Sequence, residues 1–186
     1  MTDPERRLGV PLLQTPRIVL RPWTEEDVQA FQDIYSRWEV ARWLGAQPRT
    51  AVASAAEARS RLASWRRRSL EVQPPLGLWA VVPRSAGGEP GSPVGTVLLL
   101  PLGGDADDIE IGWHLHPDHQ GRGFATHAAE ALLAAARGAG IARVLALTDP
   151  DNSASAAVAA RLGMREEGET DRWFGLMLRR FAIDLD

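Results

Sequence analysis

Short apolar, β-prone segments recur along the chain and predict strands. The clearest is the segment at 109–115, where apolar residues alternate with other residues at period two, as in a half-buried strand. Turn-forming Pro, Gly and Asp residues follow most of these segments. The pattern predicts six strands, at residues 18–21, 76–82, 94–100, 109–115, 142–148 and 173–178.

Apolar residues spaced three and four apart predict helices between these strands. Thr24 is the expected N-cap of the first helix, with Asp27 in the capping-box position. Thr50 is the expected cap of a longer helix that ends at Arg68, where basic side chains complement the helix C-terminus. Three further helices are expected at 38–45, 124–137 and 156–162.

The order of these elements indicates an α/β chain with a mixed sheet. Three consecutive strands, 76–82, 94–100 and 109–115, are separated only by turns, which favours an antiparallel meander. The strand at 142–148 follows a helix, and a strand–helix–strand connection places two strands parallel with a right-handed crossover. We therefore expect one parallel pair inside an otherwise antiparallel sheet.

The turn between the strand at 109–115 and the helix at 124–137 is the strongest candidate for a binding site. Gly121 and Gly123 let the backbone approach a ligand closely. The free N–H groups at the start of the following helix then favour an anion. Arg122 adds a fixed positive charge with a forked donor. A pyrophosphate would fit such a site, although a plain glycine turn is the alternative.

Two common phosphate motifs do not match this turn. A P-loop requires Lys after its glycines, and the chain contains no Lys. The dinucleotide fingerprint requires a third Gly where this chain has Thr126. A nucleotide-phosphate binder therefore stays as a weaker hypothesis, and it predicts affinity for ATP.

Composition limits the class of protein. The 186 residues, 45% of them hydrophobic, suit one domain with a sizeable core. A net charge of -3 gives no electrostatic case for nucleic acid, and the lack of Cys excludes a thiolate nucleophile. The N-terminus shows no signal-peptide pattern, and the longest apolar run, 94–102, is too short to span a bilayer. We expect a cytoplasmic protein without a membrane partner.

Four separated stretches, in one order, resemble the GNAT N-acetyltransferases of the ribosomal-protein-acetylating RimJ/RimL type. These stretches are 15–23, 111–117, 120–125, and 152–155 followed by 161–164. The resemblance extends from Thr15 to Leu178, so we expect a lead-in at 1–14 and a GNAT domain at 15–186. It implies a mixed, mostly antiparallel sheet splayed at a central parallel pair, with helices on both faces.

The resemblance also implies a cofactor and roles for single residues. Acetyl-CoA would be the donor, a primary amine the acceptor, and no metal is expected. A bulge near Leu115 and His116 would free an N–H for the thioester carbonyl. Asn152 would bind the pantetheine arm, and Ser155 would protonate the leaving thiolate. The pyrophosphate would lie on Gln120, Gly121, Arg122, Gly123, Phe124 and Ala125.

The chain departs from the family pattern at two positions. Many relatives use a Tyr as the proton donor, but the only Tyr here is Tyr35 in the first helix, so Ser155 is the candidate. Met164 replaces the usual Phe, an apolar exchange.

Glu110 is the candidate general base, with His114 or a water molecule as alternatives.

The acceptor and the activity itself stay open from the sequence. A protein N-terminus, a peptide or a small-molecule amine would enter between the N-terminal helices and the region of Trp173 and Phe174. A catalytically idle GNAT module that binds CoA as a sensor or partner domain is the alternative to an enzyme. Whether the protein forms a homodimer is likewise open.

Overall fold

One eight-stranded sheet forms the centre of the protein. The computed structural model describes residues 13–45, 47–103 and 108–185. The strands are β1 (Leu13–Gln14), β2 (Ile18–Pro22), β3 (Gly77–Pro83), β4 (Gly95–Pro101), β5 (Ile109–Leu115), β6 (Arg143–Thr148), β7 (Arg165–Thr170) and β8 (Leu178–Asp184). Their order in the sheet is β1-β2-β3-β4-β5-β6-β8-β7.

Helices cover both faces of this sheet. None of them, among the described residues, is both long and apolar enough to cross a membrane. The α-helices are α1 (Val28–Tyr35), α2 (Trp38–Ala41), α3 (Ala55–Leu70), α4 (Phe124–Gly138) and α5 (Ser153–Arg161). Short 3-10 turns at Glu25–Asp27 and Pro117–His119 precede α1 and α4.

The strand directions confirm the mixed α/β sheet. Strands β3, β4 and β5 form the expected antiparallel meander. Strands β5 and β6 are parallel, joined through α4, while the other neighbours pair antiparallel. The β5–β6 ladder consists of a single pair, Glu110 opposite Leu145. The two strands therefore part beyond that pair, which is the expected splay.

Side-chain alternation divides the core between the two faces. On one face, Ile18 and Leu20 of β2 pack in the same cluster as Leu132 of α4. On the other face, Val19 packs with Phe31 of α1, in a cluster that also contains residues of α3. Because both faces of β2 and β3 are buried, a shift of one residue in register would exchange the two cores.

The starts of the N-terminal helices follow local capping rules, with one correction. Asp27 accepts hydrogen bonds from the N–H and hydroxyl of Thr24 and pairs with Arg21, as the capping-box pattern predicts. The expected cap of α3 at Thr50 is wrong. Ser54 is the N-cap and accepts from the Glu57 N–H at 3.2 Å, while the Thr50 hydroxyl instead accepts from an Arg61 guanidinium.

The C-terminal strand prediction was also wrong. No strand forms at 173–177, where Trp173 is buried in a turn between β7 and β8, and of the predicted segment only Leu178 lies in a strand, as the first residue of β8. Strand β7 was missed because its residues are almost all polar. Its pairing with β8 is supported by ion pairs such as Glu166 with Arg179. A hydrophobic pattern does not detect an edge strand of this kind.

Two expectations involve residues outside the described ranges. The lead-in at 1–14 lies there except for Leu13 and Gln14, which add the edge strand β1 to the sheet. The division at residues 14 and 15 stays a prediction. The turn expected between the strands at 94–100 and 109–115 falls outside the described residues at 104–107.

Gly95 is the glycine with the least space around it. A Cβ on Gly95 would lie 2.2 Å from the His114 carbonyl oxygen and 2.5 Å from the Leu115 side chain. We expect Gly95→Ala to force β4 and β5 apart and to lower the free energy of unfolding by about 1–3 kcal/mol, measured by denaturant titration. Gly138→Ala is the control, because a Cβ there meets nothing within 4 Å. Equal stability of the two variants would contradict the close approach.

Candidate active site

The glycine turn after β5 has the backbone geometry of an anion site. Gly121 and Gly123 both adopt left-handed backbone angles, with φ of 71° and 76°. Together with Arg122 they are exposed to solvent. Helix α4 then begins at Phe124, as the sequence predicts. The turn therefore brings a helix N-terminus to an open surface beside the end of β5.

Several backbone N–H donors at the end of this turn have no acceptor within the helix that they begin. The first hydrogen bond of α4 joins the His127 N–H to the Gly123 carbonyl. The N–H groups of Phe124, Ala125 and Thr126 come before that bond, so the helix itself does not satisfy them. With the helix dipole, such groups bind phosphate well.

Arg17 is a functional candidate that the sequence reasoning missed. Its guanidinium donates to the Arg122 carbonyl at 2.9 Å and lies over the Phe124 ring, 5.6 Å from the ring centre. Its second terminal nitrogen is 3.8 Å from where a Cβ on Gly123 would be. Two guanidiniums therefore flank the turn. The contact joins residues 105 positions apart, so no local pattern signals it.

The expected bulge near Leu115 and His116 is absent from the described ladder. Every residue from Ile109 to Leu115 pairs with one residue of β4, and the His116 N–H donates to the Val94 carbonyl at 2.8 Å. Antiparallel strands alternate the direction of their backbone groups. The N–H of Leu115 therefore points to the β6 side, where β6 has already parted. Strand divergence, rather than a bulge, frees this donor.

Gln120 connects the turn to the end of β5. Its side-chain amide donates to the Leu115 carbonyl at 3.1 Å, and its backbone N–H donates to the Pro117 carbonyl. Both contacts are internal, so Gln120 holds the turn in place. The N–H groups that remain without a partner in the helix belong to the residues after Gln120, at the start of α4.

The turn after β6 lies on the other side of the gap that opens where β5 and β6 part. The Asn152 side-chain oxygen caps α5 by accepting from the Ser155 N–H at 3.1 Å. The Asn152 N–H donates to the Asp149 carbonyl at 2.9 Å. Asn152 and Ser155 are both half-buried. The cap fixes the two side chains relative to each other, while the Asn152 amide still carries two N–H donors.

Glu110 is the ionisable group whose properties suit a general base. Burial raises the pKa of the Glu110 carboxyl to about 7, although the charge of Arg68 opposes this in part. Glu110 occupies the last position at which β5 still pairs with β6. A carboxylate with this pKa can accept a proton near neutral pH.

His114 has the opposite character, although it lies on the same face of β5. Burial lowers the pKa of the His114 imidazole to about 4, so the ring is neutral at physiological pH and a weak base. Its Nδ1 lies 3.4 Å from the Tyr35 hydroxyl, which is also 2.6 Å from the Thr96 hydroxyl. The ring packs edge-on against Tyr35. These contacts make His114 part of a buried polar cluster.

The family model of the Acetyltransferase (GNAT) domain matches residues 17–165 of this chain. The match covers well over half of the sequence and includes β5, the glycine turn and α5. The protein therefore belongs to the GNAT acetyltransferase family and is an acetyl-CoA-dependent acyltransferase.

Individual relatives agree with this family. The Uncharacterized N-acetyltransferase YoaA of Bacillus subtilis (strain 168) is 25% identical over 159 residues, which is 85% of each chain. RimJ of Mycobacterium smegmatis, solved with CoA-disulfide, has a TM-score of 0.70 at 21% identity, covering 90% of this chain and 81% of its own. RimL, a ribosomal L7/L12 alpha-N-protein acetyltransferase solved with coenzyme A, has a TM-score of 0.74 at 20% identity, covering 94% and 98%. The two structures show that the fold is shared.

The raised pKa of Glu110 predicts a pH-dependent cost to stability. The unfolded chain loses this proton near the ordinary value of 4.5, but the folded protein keeps it to about 7. Wild-type stability should therefore fall as the pH rises through that window. We expect Glu110→Gln to be about 2–3 kcal/mol more stable than wild type above pH 7 and equal to it near pH 4.

Thermal unfolding across pH 4 to 8 measures this difference. Glu89→Gln, at an exposed position in the loop between β3 and β4, is the control for loss of one carboxylate. If the Glu110→Gln curve runs parallel to wild type at every pH, the Glu110 carboxyl is not held protonated by burial.

Proposed function

We propose that the protein transfers the acetyl group of acetyl-CoA to a primary amine by direct attack in a ternary complex. One observation carries this proposal. The sheet parts after the Glu110–Leu145 pair, with an exposed anion-binding turn after one strand and the Asn152–Ser155 cap after the other. A gap of this kind accepts a long, thin cofactor between two strands.

The cofactor would lie along the gap in an extended form. The N–H groups at the start of α4, with Arg122 and Arg17, would bind the diphosphate. The Asn152 amide would hydrogen-bond the pantetheine arm. The N–H of Leu115, free of a strand partner on the β6 side, would donate to the thioester carbonyl and stabilise the charge that develops there.

The chemistry would need little more than positioning and one proton acceptor. The amine nitrogen attacks the thioester carbonyl carbon, an N–C bond forms, and the C–S bond breaks. Glu110 takes the proton that the amine loses and later releases it to water, while the Ser155 hydroxyl passes a proton to the leaving thiolate and regains one from water. A free thiol has a pKa of about 8.5, so thiolate departs readily and Ser155 assists only moderately. An α-amine, with a pKa of about 8, depends less on a base than Lys does, at about 10.4.

The acceptor is an amine of a protein N-terminus or of a small molecule. The relatives of the RimJ/RimL type favour protein acetylation, since RimL acts on the N-terminus of a ribosomal protein. Phe174 supports an acceptor entrance between β7 and β8. It is about half exposed and has a left-handed φ of 62°, and bulky residues hold that conformation mainly at functional positions.

Glu110→Gln should remove the base and with it the pH dependence of the reaction. For wild type, kcat/KM per neutral amine should fall as the pH drops below about 7, because a protonated carboxyl accepts no proton. The variant should be slower by about 10²–10⁴ and flat with pH. Thiol release with an α-amine acceptor measures both quantities.

Ser155→Ala should lower kcat by about tenfold or less, since the thiolate is already a good leaving group. Ser153→Ala, at an exposed position of the same helical turn, is the matched control and should behave as wild type. Activity unchanged in both Glu110→Gln and Ser155→Ala would remove these two assignments.

Other outcomes separate the competing functions. A protein that binds CoA in calorimetry yet releases no thiol with any amine would be an idle CoA-binding module. Binding of ATP without binding of CoA would instead indicate a nucleotide-phosphate site.

The guanidiniums of Arg17 and Arg122 beside the turn should contribute to the affinity for acetyl-CoA. We expect Arg17→Ala and Arg122→Ala each to raise the KM for acetyl-CoA about tenfold, because charge-assisted bonds to phosphate are lost. The kcat at saturating cofactor should change little, since neither side chain reaches the reacting atoms in the proposed complex. Arg59→Ala, on the exposed surface of α3, is the control. An unchanged KM for acetyl-CoA in the Arg17 variant would show that Arg17 does not bind the cofactor and serves only to hydrogen-bond the Arg122 carbonyl.

A further inference from the structure

A second cationic cavity lies away from the glycine turn, between α2, α3 and the loop that joins them. Its volume is about 160 Å³, and its wall includes Tyr35, Arg49, Thr50 and Arg61. Two guanidiniums line this small space, and each is paired with one carboxylate, Arg49 with Asp149 and Arg61 with Glu57. None of these residues belongs to the proposed cofactor site.

Arg49 has unused hydrogen-bonding capacity here. Only 11% of its side chain is exposed. One terminal nitrogen, Nη1, donates to both the Arg42 carbonyl and the Asp149 carboxylate. Its Nε is buried without an acceptor among the described residues. A buried donor without an acceptor is costly, so an oxygen that reached this edge of the guanidinium from the cavity would remove that cost.

Arg61 gives the cavity a second donor from α3. Its guanidinium donates to the Thr50 hydroxyl at 2.9 Å and pairs with Glu57 at 2.6 Å. It is more exposed than Arg49, at 39% of its side chain. A ligand that enters from solvent would therefore meet Arg61 first and Arg49 deeper inside.

Hydrogen bonds connect this cavity to the proposed acetyl-transfer site. Arg49 binds the side chain of Asp149, the residue directly after β6. The carbonyl of the same Asp149 accepts from the Asn152 N–H, and Asn152 caps the turn that carries Ser155. On the other side, Tyr35 reaches His114 of β5. Hydrogen bonds therefore link the cavity to both strands that border the gap, to β5 directly and to β6 through the turn that follows it.

We propose that Arg49 and Arg61 form an oxyanion subsite for the acceptor, so that the preferred substrate is an amine that also carries a carboxylate or a phosphate. The forked guanidinium edge of Arg49 matches either group in a bidentate contact. This subsite rests on the proposed function, because it assigns the chemistry of the acceptor used by the same site.

The first test measures binding without catalysis. Protein saturated with CoA, so that the cofactor's phosphate sites are filled, is titrated with inorganic phosphate and separately with acetate in a calorimeter. We expect weak binding of at least one anion, which Arg49→Gln or Arg61→Gln weakens about 10- to 100-fold. Arg59→Gln, on the outer surface of α3, should bind as wild type does. Wild type that binds neither anion, or variants that bind as wild type does, would overturn the proposal.

The second test identifies the acceptor class and separates the two anions. Ethanolamine, β-alanine and phosphoethanolamine share a primary amine and differ in carrying no anion, a carboxylate or a phosphate. We expect one of the two anionic amines to exceed ethanolamine at least tenfold in kcat/KM, and Arg61→Gln to remove that preference. Equal use of all three amines would overturn the subsite while leaving the acetyltransferase intact. If no amine in a broad screen supports thiol release, the proposed function itself fails.

Arg49→Gln could lose activity simply because the Asp149 turn moves. Arg61→Gln is the control for this effect, since the hydrogen bonds and ion pair of Arg61 among the described residues go to Thr50 and Glu57, not to that turn. A variant that loses activity equally toward all three amines has a damaged turn, and that result for both positions would overturn the subsite.

Discussion

The site depends on the single residue pair that joins β5 to β6. Backbone N–H and C=O groups inside a protein need partners, and two parallel strands normally supply them to each other. Here the ladder stops after Glu110 and Leu145, so the backbone groups farther along β5 face a gap. Gln120 donates to the Leu115 carbonyl, but the Leu115 N–H has no strand partner on the β6 side among the described residues. The sheet thus stays continuous at one end of the β5–β6 pair and opens at the other, where the proposed cofactor site lies.

The same burial acts oppositely on the two ionisable side chains of β5. It favours the neutral form of each, which raises the pKa of Glu110 to about 7 and lowers that of His114 to about 4. Both groups are thus moved away from their ordinary values by one physical cause. Only the pKa of the carboxyl ends near neutral pH, which supports Glu110 over His114 as the proposed base.

The parts predictable from sequence are those with a local physical signal. Strand β5 and the start of α4 were located correctly because period-two alternation and glycines mark them. Strand β7 was missed because its stability comes from pairing with β8 rather than from its own apolar residues. The position of Arg17 was equally hidden, since it depends on contact with a turn far along the chain. The supposed bulge was wrong because divergence of β6 frees the same backbone group without an extra residue.

The properties of Glu110 fit the energetics of thioester aminolysis. A carboxylate with the ordinary pKa of 4.5 would hold an amine proton only briefly, because the amine is by far the stronger base. Raising the pKa of Glu110 to about 7 narrows the difference in pKa between the carboxyl and the amine. It also brings the pKa of the carboxyl within about two units of that of the leaving thiol, which is about 8.5. The Arg68 charge limits the shift, so the group is still substantially ionised at neutral pH. Burial, opposed in part by the Arg68 charge, therefore gives Glu110 the pKa that the proposed base needs: high enough to hold the proton and low enough to leave the group partly ionised at neutral pH.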